Sequence, residues 1–221
     1  MTRVIFDKQL AEIQQEMLLM GTMVSSAIER SVQALKDRDA DLARQVIEDD
    51  VKVNRRRYDI EHRCQELVAT QQPLARDLRV IFSVLHIIVD LERMGDHAEG
   101  IAKIAIMMAD EPPLKPYIDI PRMADTAKEM LLGSLEAFRD RDEERAKRIV
   151  DQDDIVDALY DQVYRELLTF MISDPKTIER ATHLTWVAHN LERIADRATN
   201  ICERVVYLVS GKIEELNVSK Y

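Results

Sequence analysis

The sequence predicts an all-α protein: two tandem, pseudo-symmetric antiparallel three-helix bundles made of six long helices. Three observations carry this. First, the composition is helical: of 221 residues only five are Gly and six Pro, aromatics are 5%, and charged residues are 33%. Second, four of the prolines fall in DEPPLKPYIDIP, residues 110–121, close to the middle of the chain. Proline removes a backbone donor and stops a helix, so this stretch is a linker. Third, the chain is written twice. SVQALKDRD from Ser31 aligns with SLEAFRDRD from Ser134, a shift of 103, and DVKVN from Asp50 aligns with DDIVD from Asp153 at the same shift. LER at Leu91 returns at Leu191, a shift of 100, so the second copy is three residues shorter, most simply at the QQPLARD turn. The division is a first bundle over 1–109, the linker over 110–121 and a second bundle over 122–221.

The elements follow in order. A first helix, roughly 5–37, stops at the polar turn LKDRDADL, and a second, roughly 40–71, runs to QQPLARD at Pro73. The third, roughly 74–109, shows its packing face directly. Val80, Val84, Ile87, Leu91, Met94, Ala98, Ile101, Ala105 and Met108 alternate steps of four and three, a coiled-coil seam. A fourth helix, roughly 121–139, stops at FRDRDEER, and a fifth, roughly 142–172, is expected to run unbroken to ISDPKTIER. Ser173 or Asp174 caps the sixth, roughly 175–212, which Pro175 opens and whose seam again steps by four and three from Val187 to Leu208. Short turns make neighbouring helices antiparallel. Met17, Met20, Met23, Met107 and Met108 are expected in the core, and Gly95 and Gly100 at close-packing positions within a helix.

The totals also exclude functions. A net charge of −10 argues against nucleic acid and leaves cations and basic protein surfaces as partners. Cys64 and Cys202, the only cysteines, have no metal-ribbon or disulfide spacing. The start, MTRVIFDKQLAEI, lacks the apolar core of a signal peptide. The longest apolar run, VIFSVLHIIV, is about half of the roughly 20 residues a membrane span needs. The expectation is a cytoplasmic protein with no direct membrane insertion. There is no Gly-rich phosphate loop and no nucleophile beside a base.

The informative residues are carboxylates. Glu92 and Asp96 lie one turn apart beside the third-helix seam, and Glu192 and Asp196 repeat them. On the second helix of each half, the seam runs Val46, Asp50, Val53 and Ile149, Asp153, Val156, so Asp50 and Asp153 stand where an apolar residue belongs. Each has an oxygen donor four residues on, Asn54 or Asp157. A carboxylate at a seam must meet a cation or take up a proton. Each half thus offers two acidic pairs on neighbouring helices: Asp50/Asn54 with Glu92/Asp96, and Asp153/Asp157 with Glu192/Asp196. Oxygen-only donors suit Mg, Mn, Ca or Fe without choosing among them. Read from residues alone, the pattern is either a cation site or a solvated acidic face whose members pair with Arg93 and Arg193. Asp90, His97, Glu99 and Asn200 are second-rank donors, with ordinary surface as the alternative.

DLERMGDHAEGIAK and NLERIADRATNICE, with QQPLARDLR, IEDDVKVN and VDQDDIVD, resemble the paired signature of the PhoU family of phosphate-uptake regulators, over nearly the whole chain. The resemblance implies a cytoplasmic protein, or one peripheral at the inner membrane face through protein partners, that represses the phosphate-starvation response. It implies an adaptor between a phosphate ABC transporter, through its ATPase subunit, and a sensor histidine kinase, with no catalysis. It also implies iron or zinc, or Mg or Mn, at Asp50–Asn54 and Glu92–Asp96 in the first half and at Asp153–Asp157 and Glu192–Asp196 in the second. Asn54 is neutral where Asp157 is charged, so the first half is expected to bind its metal more weakly. Exposed seam flanks make a homodimer a further expectation. The alternatives from the residues are a carboxylate-bridged metalloenzyme in a helical bundle and a metal-free helical scaffold.

Overall fold

The computed structural model describes residues 2–216, and these hold seven α-helices and no strand. α1 (Thr2–Asp37), α2 (Ala40–Gln71) and α3 (Ala75–Met108) form the first bundle. α4 (Asp119–Asp140), α5 (Glu143–Val150), α6 (Asp153–Ser173) and α7 (Ile178–Ser210) form the second, with one 3-10 turn at Pro175–Thr177 ahead of α7. At 36 residues α1 is roughly 54 Å long.

The duplicated turns are built alike. Arg38 and Arg141, 103 positions apart, both take the left-handed conformation, at φ 57° and 55°. The next residue caps the following helix in each case. Asp39 accepts from the backbone N–H of Asp41 and Leu42 at 3.0 and 2.9 Å, and Asp142 from that of Arg145 at 2.9 Å. These side chains satisfy donors that the first turn of a helix leaves open. α4 opens at Asp119, slightly earlier than the sequence suggests, because Pro121 is tolerated in a first turn. α7 closes on Gly211 at φ 76°, a conformation that costs glycine nothing.

The expected fifth helix is divided. The α-helical hydrogen bonding is interrupted at Asp151–Gln152, where the backbone stays right-handed but bonds run three residues apart, and α5 and α6 take its place. Its counterpart, α2, is continuous, and the charges explain the difference. In the first half Asp49 binds Arg30 of α1 at 2.7 Å and Lys52, one turn on, at 2.6 Å. The counterparts of these three residues are Gln152, Gly133 and Ile155, which offer no such stitch. Asp151 and Asp154 stand three residues apart there, a spacing at which like charges weaken a helix.

α3 and α7 are central. Each packs inside its own bundle and against the other, while α1 also meets α4. One apolar core runs through both halves, with Met17, Met20, Leu91, Met94, Met130, Leu191 and Ile194 buried in it. Met108 belongs to it and Met23 packs on its edge. Met107 does not: 61% of it is exposed, because it projects from the face of α3 away from the seam. Across α3 and α7 the duplicated residues bond reciprocally. Asp90 Oδ1 accepts from Arg197 at 3.3 Å and from Asn200 at 3.1 Å. Its counterpart Asn190 places Oδ1 2.8 Å from His97 Nδ1 and beside Gly100, where a Cβ would lie at 3.4 Å. Among the described residues no helix is long and apolar enough to cross a membrane.

Candidate functional site

In the first half, α2 carries Asp50 toward α3. Asn54 donates to its Oδ2 at 2.6 Å, and its Oδ1 lies 3.0 Å from where a Cβ on Gly95 would stand. The absence of a side chain at Gly95 is what lets the carboxylate approach α3. Burial, and then the charges of Asp96, Glu99 and Glu92, push the Asp50 carboxyl up to about 6. Asp50 and Asn54 therefore do meet the Glu92/Asp96 stripe, and Glu99, one turn beyond Asp96, joins them. Cations temper this stripe: Arg93 lies 3.6 Å from Glu92 and 3.5 Å from Asp96, and Lys103 binds Glu99 at 2.6 Å.

In the second half, Asp153 is buried with 3% exposure at the seam position. Glu192 is pushed up to about 7, first by burial, then by Asp196 against the opposing pull of Arg193, then by Asp157 and Asp153. Burial and Asp196 raise Asp157. Burial raises Asp196 against the opposing charge of Arg193, which donates to it at 2.8 Å. The four residues Asp153, Asp157, Glu192 and Asp196 thus share one region, as the seam reading places them. His189 Nδ1, 3.2 Å from Glu192 Oε2, belongs to the same region. The sequence reading missed it, although its i, i+3 spacing from Glu192 was a usable signal.

Of the second-rank donors, Glu99 joins the first acidic site through its charge on Asp50, and His97 bears on Asp196 of the second. Asp90, His97 and Asn200 are engaged in the bonds that join α3 to α7, because they lie on the opposite flank of the seam. The donor set is chemically that of a hard cation. Like charges gathered out of water, with carboxyls pushed toward their protonated forms, are short of positive charge. As placed, however, no three Asp, Glu, His or Cys side chains among the described residues converge on a common point at metal-ligand distance. The chemistry fits a cation, and the side chains would have to rotate to surround one.

The PhoU domain family model matches residues 17–105 and again 120–205. The chain belongs to the PhoU family. The two matches correspond to the two bundles and each contains one acidic site. A phosphate-specific transport system accessory protein PhoU homolog of Aquifex aeolicus is 44% identical over 206 residues, 93% of each chain. A homolog of the same description from Clostridium acetobutylicum is 38% identical over 218 residues, 98% of this chain and 100% of that one. The crystal structure of PhoU from Pseudomonas aeruginosa superposes with a TM-score of 0.90 at 36% identity, over 94% of this chain and all of that one. The phosphate transport system regulatory protein PhoU from Streptococcus pneumoniae gives 0.88 at 31% identity, over 95% and 99%. This PhoU-family chain therefore has the family's helical fold over about 94% of its length.

Proposed function

We propose that this protein regulates phosphate uptake and restrains the phosphate-starvation response by binding, not by catalysis. The observation that carries the reading is the full-length correspondence, in sequence and in fold, to accessory proteins of phosphate-specific transport systems. In this reading the chain is a cytoplasmic adaptor. It reaches the inner face of the membrane through the ATPase subunit of a phosphate ABC transporter and passes the transporter's state to a sensor histidine kinase. The long rigid helices suit an adaptor, since they present extended faces with few loops.

The acidic sites belong to the same proposal. Asp153, Asp157, Glu192 and Asp196 would hold a di- or trivalent cation, iron or zinc, or Mg or Mn. Asp50, Asn54, Glu92 and Asp96 would hold a second one more weakly, because Asn54 brings no charge. The cation would offset the burial that raises Asp50, Asp157, Glu192 and Asp196, and the carboxylate repulsion that adds to it at the first three. It would also fix the faces of α3 and α7 that a partner meets. A homodimer is the expected assembly.

Pull-down with the purified transporter ATPase subunit and with the kinase's cytoplasmic part tests the adaptor reading. Both are expected to be retained, and deletion of the gene is expected to release phosphate-starvation genes in high phosphate. Retention of neither partner, with unchanged gene expression in the deletion strain, would sink it. Metal analysis of the purified chain tests the cation reading separately, and sedimentation tests the dimer.

A further inference from the structure

A cavity of about 330 Å³ opens where α1, α2 and α3 meet. That size lies in the range of small-molecule sites, and a cavity of about 150 Å³ already admits benzene. Its walls are mainly apolar: Met23 and Ala27 from α1, Val46 and Val53 from α2, and the bare backbone of Gly95 from α3. Thr22 and Ser26 of α1 add hydroxyls to the lining, and the charged groups occupy two places. On the α1 side Asp49 bridges Arg30 and Lys52, so that rim is largely neutralised within itself. On the α3 side stands Asp50, whose only hydrogen-bond donor among the described residues is Asn54, acting on Oδ2. Its Oδ1 is left over Gly95. Asp96, Glu99 and Glu92 add negative charge behind it, partly offset by Arg93 and Lys103.

The second half shows the same frame with the space filled. The counterparts of Ala27, Val46 and Gly95 are Met130, Ile149 and Ala195, each larger and each buried. Ile149 extends until its Cδ1 is 3.0 Å from where a Cβ on Gly133 would stand, and Gly133 replaces Arg30. Helical cores pack to crystal-like density and carry few voids larger than a water molecule. At these three positions the first half carries the smaller residue, and although Met23 has the smaller Thr126 as its counterpart, Ala27, Val46 and Gly95 are what hold this copy open.

We propose that this cavity binds a small, mainly apolar molecule carrying one cationic, hydrogen-bond-donating group, with an aralkylamine as the simplest form. Its apolar body packs on Ala27, Val46 and Val53, and its ammonium donates to Asp50 Oδ1. The inference does not rest on the regulatory reading or on a bound metal. It is tested on the full chain in the presence of a chelator, with all the acidic-site carboxylates in place. Methyl-labelled protein is titrated with phenethylamine, 3-phenylpropionate and propylbenzene, and the Met23, Val46 and Val53 methyl signals are followed by NMR. Phenethylamine is expected to shift them saturably, with affinity at least about tenfold above that of 3-phenylpropionate. The double substitution Ala27→Met with Val46→Ile, which imports the second half's filling, is expected to abolish the shifts at the remaining reporters while helicity is retained. Should that pair misfold, Val46→Ile alone, one methylene larger, is expected to weaken binding at Met23 and Val53. Absence of saturable shifts with all three probes, equal affinity for amine and carboxylate, or undiminished binding in the filled variants would overturn the proposal.

Discussion

Replacing Glu192 with Gln should make the protein more stable at alkaline pH, although it removes a side chain from the proposed site. The side chain is 21% exposed, and burial with Asp196, Asp157 and Asp153 lifts its carboxyl from 4.5 to about 7. Below pH 4.5 the group is protonated in folded and unfolded chains alike. As pH rises from 4.5 to 7 the unfolded chain ionises first, so the native state binds more protons and stability falls. Above pH 7 the full penalty applies. A displacement of this size corresponds to about 3 kcal/mol, which partial exposure trims to about 1–3 kcal/mol. The measurement is urea unfolding of native chain and Glu192→Gln, metal-free, at pH 4 and pH 8. The variant should gain about 1–3 kcal/mol at pH 8 relative to its difference at pH 4. A difference that does not change with pH, or one that moves in the native chain's favour from pH 4 to pH 8, would refute the reasoning.

Three further outcomes are expected. In thermal melts at pH 8, Mn²⁺ at about one hundred times its dissociation constant should stabilise the native chain by about 2.7 kcal/mol. Asp153→Asn should remove most of this and Asp50→Asn little, and melts unmoved by Mn²⁺, Fe²⁺ and Zn²⁺ would remove the cation reading. Asp39→Ala and Asp142→Ala should each lose about 1 kcal/mol in urea, the former the more because Asp39 caps two N–H groups and Asp142 one. Asp90→Ala should lose about 2–4 kcal/mol, since it strands Arg197 and Asn200 at the α3–α7 contact, while Asp90→Asn, which keeps an acceptor, should lose clearly less.

Much of this molecule was legible because its signals are periodic. A seam that alternates steps of four and three states both that a segment is helical and which face is inward. The seam residues from Val80 to Met108 accordingly lie buried in α3. Seam position also identified Asp50 and Asp153 as misplaced acids, and both are turned toward acidic residues of the neighbouring helix. What periodicity cannot show is which helices from different halves meet. The roles of Asp90, His97 and Asn200 were therefore missed: only the α3–α7 contact reveals that they bond across it. The break at Asp151–Gln152 was missed for a related reason. It depends on a stitch between helices: Arg30 holds Asp49 in the first half, and their counterparts Gly133 and Gln152 cannot form that pair.

The two halves share one frame but resolve their buried acids differently, and His97 lies where the two solutions meet. It bonds Asn190 across the pseudo-symmetric contact, and it bears electrostatically on both Asp96, its chain neighbour, and Asp196 of the other half. The first half neutralises all but Asp50: Arg30 and Lys52 hold Asp49 and Lys103 holds Glu99, while Asp50, with the neutral Asn54 as its donor, stays raised. The second half keeps Asp157 in place of Asn54 and leaves Asp157, Glu192 and Asp196 all raised. Demand for an added cation is therefore concentrated in the second half, and the frame around it is closely packed by Met130, Ile149 and Ala195. Duplication supplied two equal backbones, and substitutions at a few facing positions left one that is short of positive charge and one that holds open space.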